Sequence, residues 1–360
     1  MPPLAEAPVP HPRNTCMSSA GTDIIIPVWN NPTETRECLA SLVEHSADFR
    51  LILLDTGSEP ATEQLLHEFA DFLDNRALLM RSESAQGFVA TVNRGLARAE
   101  APLAVIMRSS TRVTSGWLDP ILEAACKTEA GILVPCFEPF GSGSSSTRKC
   151  ARAAGEVHHG SFSALGITRD LYAAIGGFDE SLDGDVWCLK DYSRRAGRAG
   201  FTTLRVAGPP LHSRETITYG SRERREKMVR ESIAAYTARW GEARFFCAFF
   251  ASRTDQETLG KAFAAMLTAA RRGHHFFVYA SPSVYRLILS ASLHLLHETI
   301  LVHKLPRIFP QRACRTAFAR IQARHCDVSV LTGLDGLLDL EDEKRVSFAE
   351  VEKSISAAEV

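Results

Sequence analysis

The chain has 360 residues, of which 45% are hydrophobic, and its 41 Lys and Arg against 42 Asp and Glu give a formal net charge of -1. That length and a mean hydropathy of -0.07 describe a soluble globular protein of one large domain or two smaller ones. A balance this close to neutral gives no electrostatic footprint for nucleic acid, which is excluded as an expected partner.

Nine cysteines are scattered without a Cys-x-x-Cys pair. They suggest reduced thiols, and neither a zinc site nor a disulfide framework. No basic-then-apolar signal pattern opens the chain, so cytoplasmic location is the expectation.

Residues 1–20 are rich in proline and read as a flexible leader. Short apolar runs bounded by Gly, Pro, Asn and Asp then predict strands at 23–28, 49–54, 77–81, 103–107 and 131–135. The intervals carry helical periodicity, at 33–45 with Thr33 as its cap, 61–73, 87–99 and 117–128. Strands alternating with helices imply a parallel sheet, whose ligands bind outside the carboxyl ends of the strands. A Gly/Ser-rich stretch at 139–147 reads as a linker or as a lid. After it come a strand at 162–167, a helix at 169–175 stopped by Gly176-Gly177, a helix at 190–199 ended by Gly200, and a strand at 201–206.

From 221 to 337 the pattern reads as helical only, with helices at 222–239, 258–272 and 283–304. Arg286, His294, His297 and Glu298 make the last a poor transmembrane span. It suits a helix packed on the core, or an amphipathic helix in peripheral contact with a membrane face. Residues 338–360 read as an acidic tail or peripheral helix. The pairs His158-His159 and His274-His275 lack acidic partners at metal-site spacing and read as incidental.

Six segments carry the chemistry, in order: IIIPVWN from Ile24, LLDTGS from Leu53, GFVATVNRGL from Gly87, RSSTRVTSGWL from Arg108, AAIGGFDESL with DYSRRAGRAGF, and LHSRETITYG from Leu211. In that order and spacing they resemble the family-two glycosyltransferases, over roughly residues 22–221. The resemblance implies an α/β GT-A fold for 21–220, followed by a helical C-terminal extension. It implies transfer of a hexose-type sugar from a nucleotide-diphosphate donor to the hydroxyl of a glycan, lipid-linked or protein acceptor, usually with inversion.

Asp55 stands just past a predicted strand end, where a carboxylate can accept from the imide edge of a base or cap the turn with Gly57. The resemblance assigns it to the nucleotide, with Pro27, Trp29 and Asn30 flanking base and ribose, Gly87 allowing close backbone approach, and Asn93 reaching across the site. It also implies a Mg2+ or Mn2+ ion on the diphosphate, held by an aspartate after the 103–107 strand; that position here is Ser110, a poor ligand for a hard cation. Arg108 beside it, and Arg214, can neutralise a diphosphate without metal. His212 falls where the family often has a histidine contacting metal or phosphate.

The second acidic motif supplies the family's general base. Its paired acids fall on Cys188 and Leu189, leaving Asp191, with Asp183 and Asp185 upstream on a Gly-containing loop that can equally be a plain turn. Two readings follow: a sugar-nucleotide-dependent transferase, and a non-catalytic GT-A module that binds a nucleotide, glycan or protein.

Overall fold

The computed structural model describes residues 21–83, 87–139, 155–184, 186–213, 221–251, 254–325, 327–333 and 344–356. The 1–20 leader, most of the 139–147 stretch, Asp185, Arg214 and residues 338–343 and 357–360 of the acidic tail lie outside them.

The N-terminal unit is built on an eight-stranded mixed sheet. Its first strands are β1 (Thr22–Val28), β2 (Phe49–Asp55), β3 (Ala77–Arg81) and β4 (Leu103–Met107), which pair in parallel with β1 between β2 and β4. Beyond β4 lie β9 (Ala164–Thr168), antiparallel to it, then β6 (Ala130–Val134), β10 (Thr202–Arg205) and β8 (Gly155–Glu156). The central strands carry continuous apolar runs, such as Ile24 to Ile26, Leu51 to Leu54 and Leu103 to Met107, because helices cover both faces.

Ile24 and Ile26 pack with Leu39 and Leu42 of α1 (Pro32–His45), Leu66 of α2 (Pro60–Leu73) and Ile121 of α4 (Asp119–Lys127). Ile25, on the opposite face, packs with Val89 and Val92 of α3 (Phe88–Leu96), Leu171 of α5 (Arg169–Ile175) and Leu189 of α6 (Trp187–Arg198). This is an α/β unit on a mixed sheet, in keeping with the α/β class that the motif order implied. In detail, α1 is not capped by Thr33. It starts at Pro32 behind Asn31, a left-handed residue at φ 56 whose side chain makes no cap bond. A small sheet, β5 (Thr111–Arg112), β11 (Leu211–Ser213) and β7 (Phe137–Pro139), stands beside the ends of the large one.

The helical reading of 221–337 is corrected. Only α7 (Arg222–Trp240) opens that region as a long helix. It is followed by a five-stranded, wholly parallel sheet of β12 (Phe245–Phe250), β13 (His275–Ala280), β14 (Ile300–Lys304), β15 (Val328–Thr332) and β16 (Arg345–Ser347), ordered β14-β13-β12-β15-β16. Its covering helices are α8 (Gln256–Arg271), α9 (Pro282–Ser290), α10 (Pro310–Gln322) and α11 (Phe348–Ser356).

The C-terminal extension is therefore a second α/β unit. Buried parallel strands are short, continuous apolar runs, which periodicity alone does not separate from buried helix. The expected 283–304 helix also breaks: α9 ends at Ser290, Ser292 turns left-handed at φ 55, and the β-branched run at Ile300 joins the sheet. Among the described residues no helix is long and apolar enough to cross a membrane, and all six described cysteines are free.

Strand β8 clips the two units together. The N–H of Glu156 donates to the Leu296 carbonyl at 3.1 Å, and the N–H of Glu298 returns to Glu156 O at 3.0 Å. Arg271 pairs with Glu156, and Arg205 with Glu298 at 2.7 Å. The two histidine pairs meet at this seam: the His158 ring lies 5.7 Å from His159 and 6.3 Å from His275.

Burial pushes His158 down to about 2, and His274 and His297 down to about 4. The unfolded chain takes up those protons near pH 6.5 while the folded chain refuses them, so their stabilising effect is complete above that pH and is lost as pH falls. Asp183, described below, works in the opposite sense, but it is one group against three. The urea midpoint is expected to be lower at pH 5 than at pH 7.5. A midpoint that stays level or rises would show that these rings are solvated.

Candidate functional site

The chain reverses direction beyond the carboxyl ends of β1, β2 and β4, and three groups of side chains gather there. The first joins the loops after β1 and β2. Val28 is level with Asp55 in the parallel register. Asn30 and Asn31 are both left-handed, at φ 54 and 56, a conformation asparagine tolerates better than most residues. The Asn30 N–H donates to Ser58 Oγ at 2.9 Å, and its Oδ1 accepts the Glu59 N–H at 2.7 Å. Asn30 thus ties its loop to the neighbouring one through its backbone N–H and side-chain oxygen. Pro27 is buried beside it and Trp29 is half-buried.

Asp55 is 2% exposed and ends β2. One oxygen accepts the Ser58 N–H at 2.9 Å, which is the turn-capping role, with Gly57 left-handed at φ 79. The other lies 3.4 Å from Arg81, which also pairs with Glu63. Asp55, Glu63, His67 and Arg81 line a cavity of about 180 Å³ with Leu66 and Leu79. Sites that enclose a whole ligand run to about 300–1,000 Å³, so this recess suits one end of a ligand.

The second group surrounds the start of α3. Gly87 precedes that helix and offers no side-chain cap. The cap comes from 94 residues further along the chain: the Asp183 carboxylate accepts the Val89 N–H at 3.3 Å and bonds the Phe88 N–H as well. A Cβ on Gly87 would stand 2.4 Å from an Asp183 oxygen, so glycine is what lets the acid in. Burial pushes the Asp183 carboxyl up to about 6 despite those two N–H groups, and the Glu180 carboxylate adds to the rise. The Arg108 guanidinium lies 5.8 Å from the Phe88 ring. An acid poised near neutrality and a fixed cation thus flank one helix start, where the helix dipole favours negative charge.

The third group is held by the small sheet. The Arg108–Thr111 turn closes with a 3.0 Å bond, leaving Ser110 half-buried just ahead of β5. His212 of β11 is level with Arg112 on one side and Glu138 of β7 on the other. Cross-strand partners share a face of the pleat. Glu138 was not anticipated, because its place depends on strand pairing 74 positions apart. It is 4% exposed, and one of its buried oxygens has no hydrogen-bond partner among the described residues.

The donor set here does not fit a hard divalent cation. Such an ion takes about six oxygens, usually with carboxylates among them. Serine stands at the aspartate position, and no group of three or more His, Cys, Asp or Glu able to hold a metal occurs among the described residues.

Two expected site residues turn out to be internal struts. Asn93 donates to Phe178 O and to Glu180 at 2.9 Å each and accepts the Phe178 N–H at 2.9 Å, clamping the loop ahead of α6 rather than reaching across the site. Asp191 is fully buried. It accepts from Arg195 Nε, Arg239 Nη1 and Trp240 Nε1, each at 2.8 Å, so its oxygens are occupied in joining α6 to α7. Of the described acids proposed as base, Asp183 is half-buried at the start of α3, whereas Asp191 is sealed in the core.

Residues 23–187 match the model of glycosyl transferase family 2. "Glycosyltransferase AglE" of Haloferax volcanii is 23% identical over 99 residues, which is 27% of this chain and 32% of that protein. The structure described as "GalNAc-T7 with UDP, GalNAc and Mn2+" superposes with a TM-score of 0.48 at 13% identity, over 61% of this chain and 50% of that one. The chain spans about a third of the curated relative's length and half of the solved chain.

Proposed function

We propose, on the premise that residues 23–187 belong to glycosyl transferase family 2, that the chain transfers a sugar from a nucleotide-diphosphate donor to an acceptor hydroxyl with inversion. The observation that carries this reading is Asp183, a half-buried carboxyl pushed up to about 6 at the start of α3. In this mechanism Asp183 takes the proton of the acceptor hydroxyl as its oxygen attacks the anomeric carbon. The bond from that carbon to the diphosphate oxygen breaks with its electron pair, and the nucleoside diphosphate leaves. Arg108 faces the charge that develops there, with Ser110 and His212 on the same side. The nucleotide end rests at Asp55, inside the recess it lines.

No step in this scheme is routed through a metal. The acceptor is a glycan, a lipid-linked sugar or a protein.

A second reading has its own support: serine at the aspartate position, Cys188 and Leu189 at the paired-acid positions and Asp191 spent on structure. On that reading the unit binds a nucleotide, glycan or partner without turnover.

Calorimetric titration with UDP and GDP, each with and without manganese, tests the donor site. Binding is expected without metal. Replacing Asp55 with alanine is expected to weaken it by roughly 1.5–3 kcal/mol, the range of a hydrogen bond to a charged group. Undiminished binding in that variant would remove Asp55 from the site, and no binding of either nucleotide by the parent would favour the second reading.

A further inference from the structure

We propose that the face built by β14, the turn after it and α10 docks on an anionic lipid bilayer. Between Thr299 and Cys326 the sequence carries Lys304, Arg307, Arg312, Arg315, Arg320 and Arg324 and not one Asp or Glu, in a chain whose formal net charge as a whole is -1. Three of these cations, Lys304, Arg312 and Arg320, line a groove of about 640 Å³. Arg312 and Arg320 lie about two turns apart on α10 and Lys304 ends β14, with Tyr279 and His303 also lining the groove. Among the described residues none of these three cations has an ion-pair partner.

Charge alone would suit any polyanion. The apolar rim decides for a bilayer. Ile308 and Phe309 stand at the tip of the turn, 72% and 74% exposed. Phe309 is held outward in the left-handed region at φ 54, where a bulky residue is uncommon. Leu301 on β14 is 46% exposed as well. An apolar tip ringed by unpaired cations is the arrangement that enters the acyl boundary while its charges stay at the phosphate level. A soluble polyanion would leave Ile308 and Phe309 in water. This surface differs from the 283–304 helix expected from the sequence, which the strand at Ile300 replaces, and it does not depend on the donor-site reading.

The test is flotation of the full chain with vesicles of phosphatidylcholine alone and of phosphatidylcholine mixed with phosphatidylglycerol, at low and high salt. Binding is expected to the anionic vesicles only and to weaken with salt. The pair Arg312→Gln with Arg320→Gln is expected to lower partitioning ~tenfold or more. The pair Ile308→Ser with Phe309→Ser should lower it also, and because all four side chains are exposed, circular dichroism should be unchanged in both. Absence of binding to anionic vesicles, equal binding to neutral ones, or parent-like binding by either pair of variants would overturn the proposal. So would a dimer in sedimentation that the serine pair abolishes, which would make the occupant a second copy of the chain. Tighter capture of heparin than of vesicles, insensitive to the serine pair, would assign the face to a soluble polyanion instead.

Discussion

Replacing Asp191 by alanine is expected to destabilise the folded protein by about 3–5 kcal/mol, the cost of removing one partner from a buried ion pair. The acid is 0% exposed, and three donors converge on it. Its loss leaves the Trp240 N–H and part of the Arg195 charge buried without an acceptor. Arg195 keeps its bonds to Ile175 O at 3.0 Å and Gly177 O at 2.8 Å, so α6 stays docked. Arg239 is 46% exposed and keeps Asp179 at 2.6 Å, which places the result toward the lower end of the range. Urea denaturation of the parent and of Asp191→Ala measures it. A loss below about 1 kcal/mol would show that α7 does not depend on this carboxylate. The asparagine variant separates stability from chemistry: if Asp191 is a strut, its folded fraction turns over like the parent. A folded but inactive Asp191→Asn would return this residue to the catalytic role.

Asp183→Asn is expected to lower kcat by roughly a hundredfold to ten-thousandfold, the contribution of a positioned general base. The amide oxygen still accepts the Val89 and Phe88 N–H groups, so α3 keeps its cap, but it takes no proton. Parent activity should rise with pH through about 6, following the carboxyl, and residual activity of the variant should lose that step. Misfolding would not explain the loss. A carboxyl whose folded pKa lies above its unfolded value stabilises fully below the unfolded pKa, and that contribution is lost as pH rises through the folded one. At pH 7.5 the parent bears this penalty and a neutral amide does not, so Asp183→Asn should be no less stable there. Parent-like turnover in Asp183→Asn would remove it from the mechanism.

Much of the N-terminal unit was legible because its signals are local. Ile24 to Val28, Leu51 to Leu54 and Leu103 to Met107 are apolar runs punctuated by Pro, Asp and Gly, and they became adjacent parallel strands. Ser110 stands just beyond the end of β4, while Asp55, expected just past a strand end, is the last residue of β2. In the C-terminal unit the same kind of signal was misassigned. Phe245 to Phe250 and His275 to Ala280 are apolar runs too, the second flanked by Gly273 and Pro282, but lying between helical stretches they looked like more helix.

By itself the sequence determined the main strands of the large N-terminal sheet, the order of motifs that resembles the family-two glycosyltransferases, and the serine at Ser110; the short strands β5, β7, β8 and β11 were not legible in it. The tertiary structure decided what each acid does. Asp183 and Asp191 are near neighbours in sequence, and composition does not distinguish them. One became the distant cap of α3 because Gly87 leaves room for it. The other was drawn into the core by Arg239 and Trp240, 48 and 49 residues away. Burial and hydrogen-bond partners set the charge state and freedom of a carboxylate, and those are properties of contacts between segments far apart in the chain.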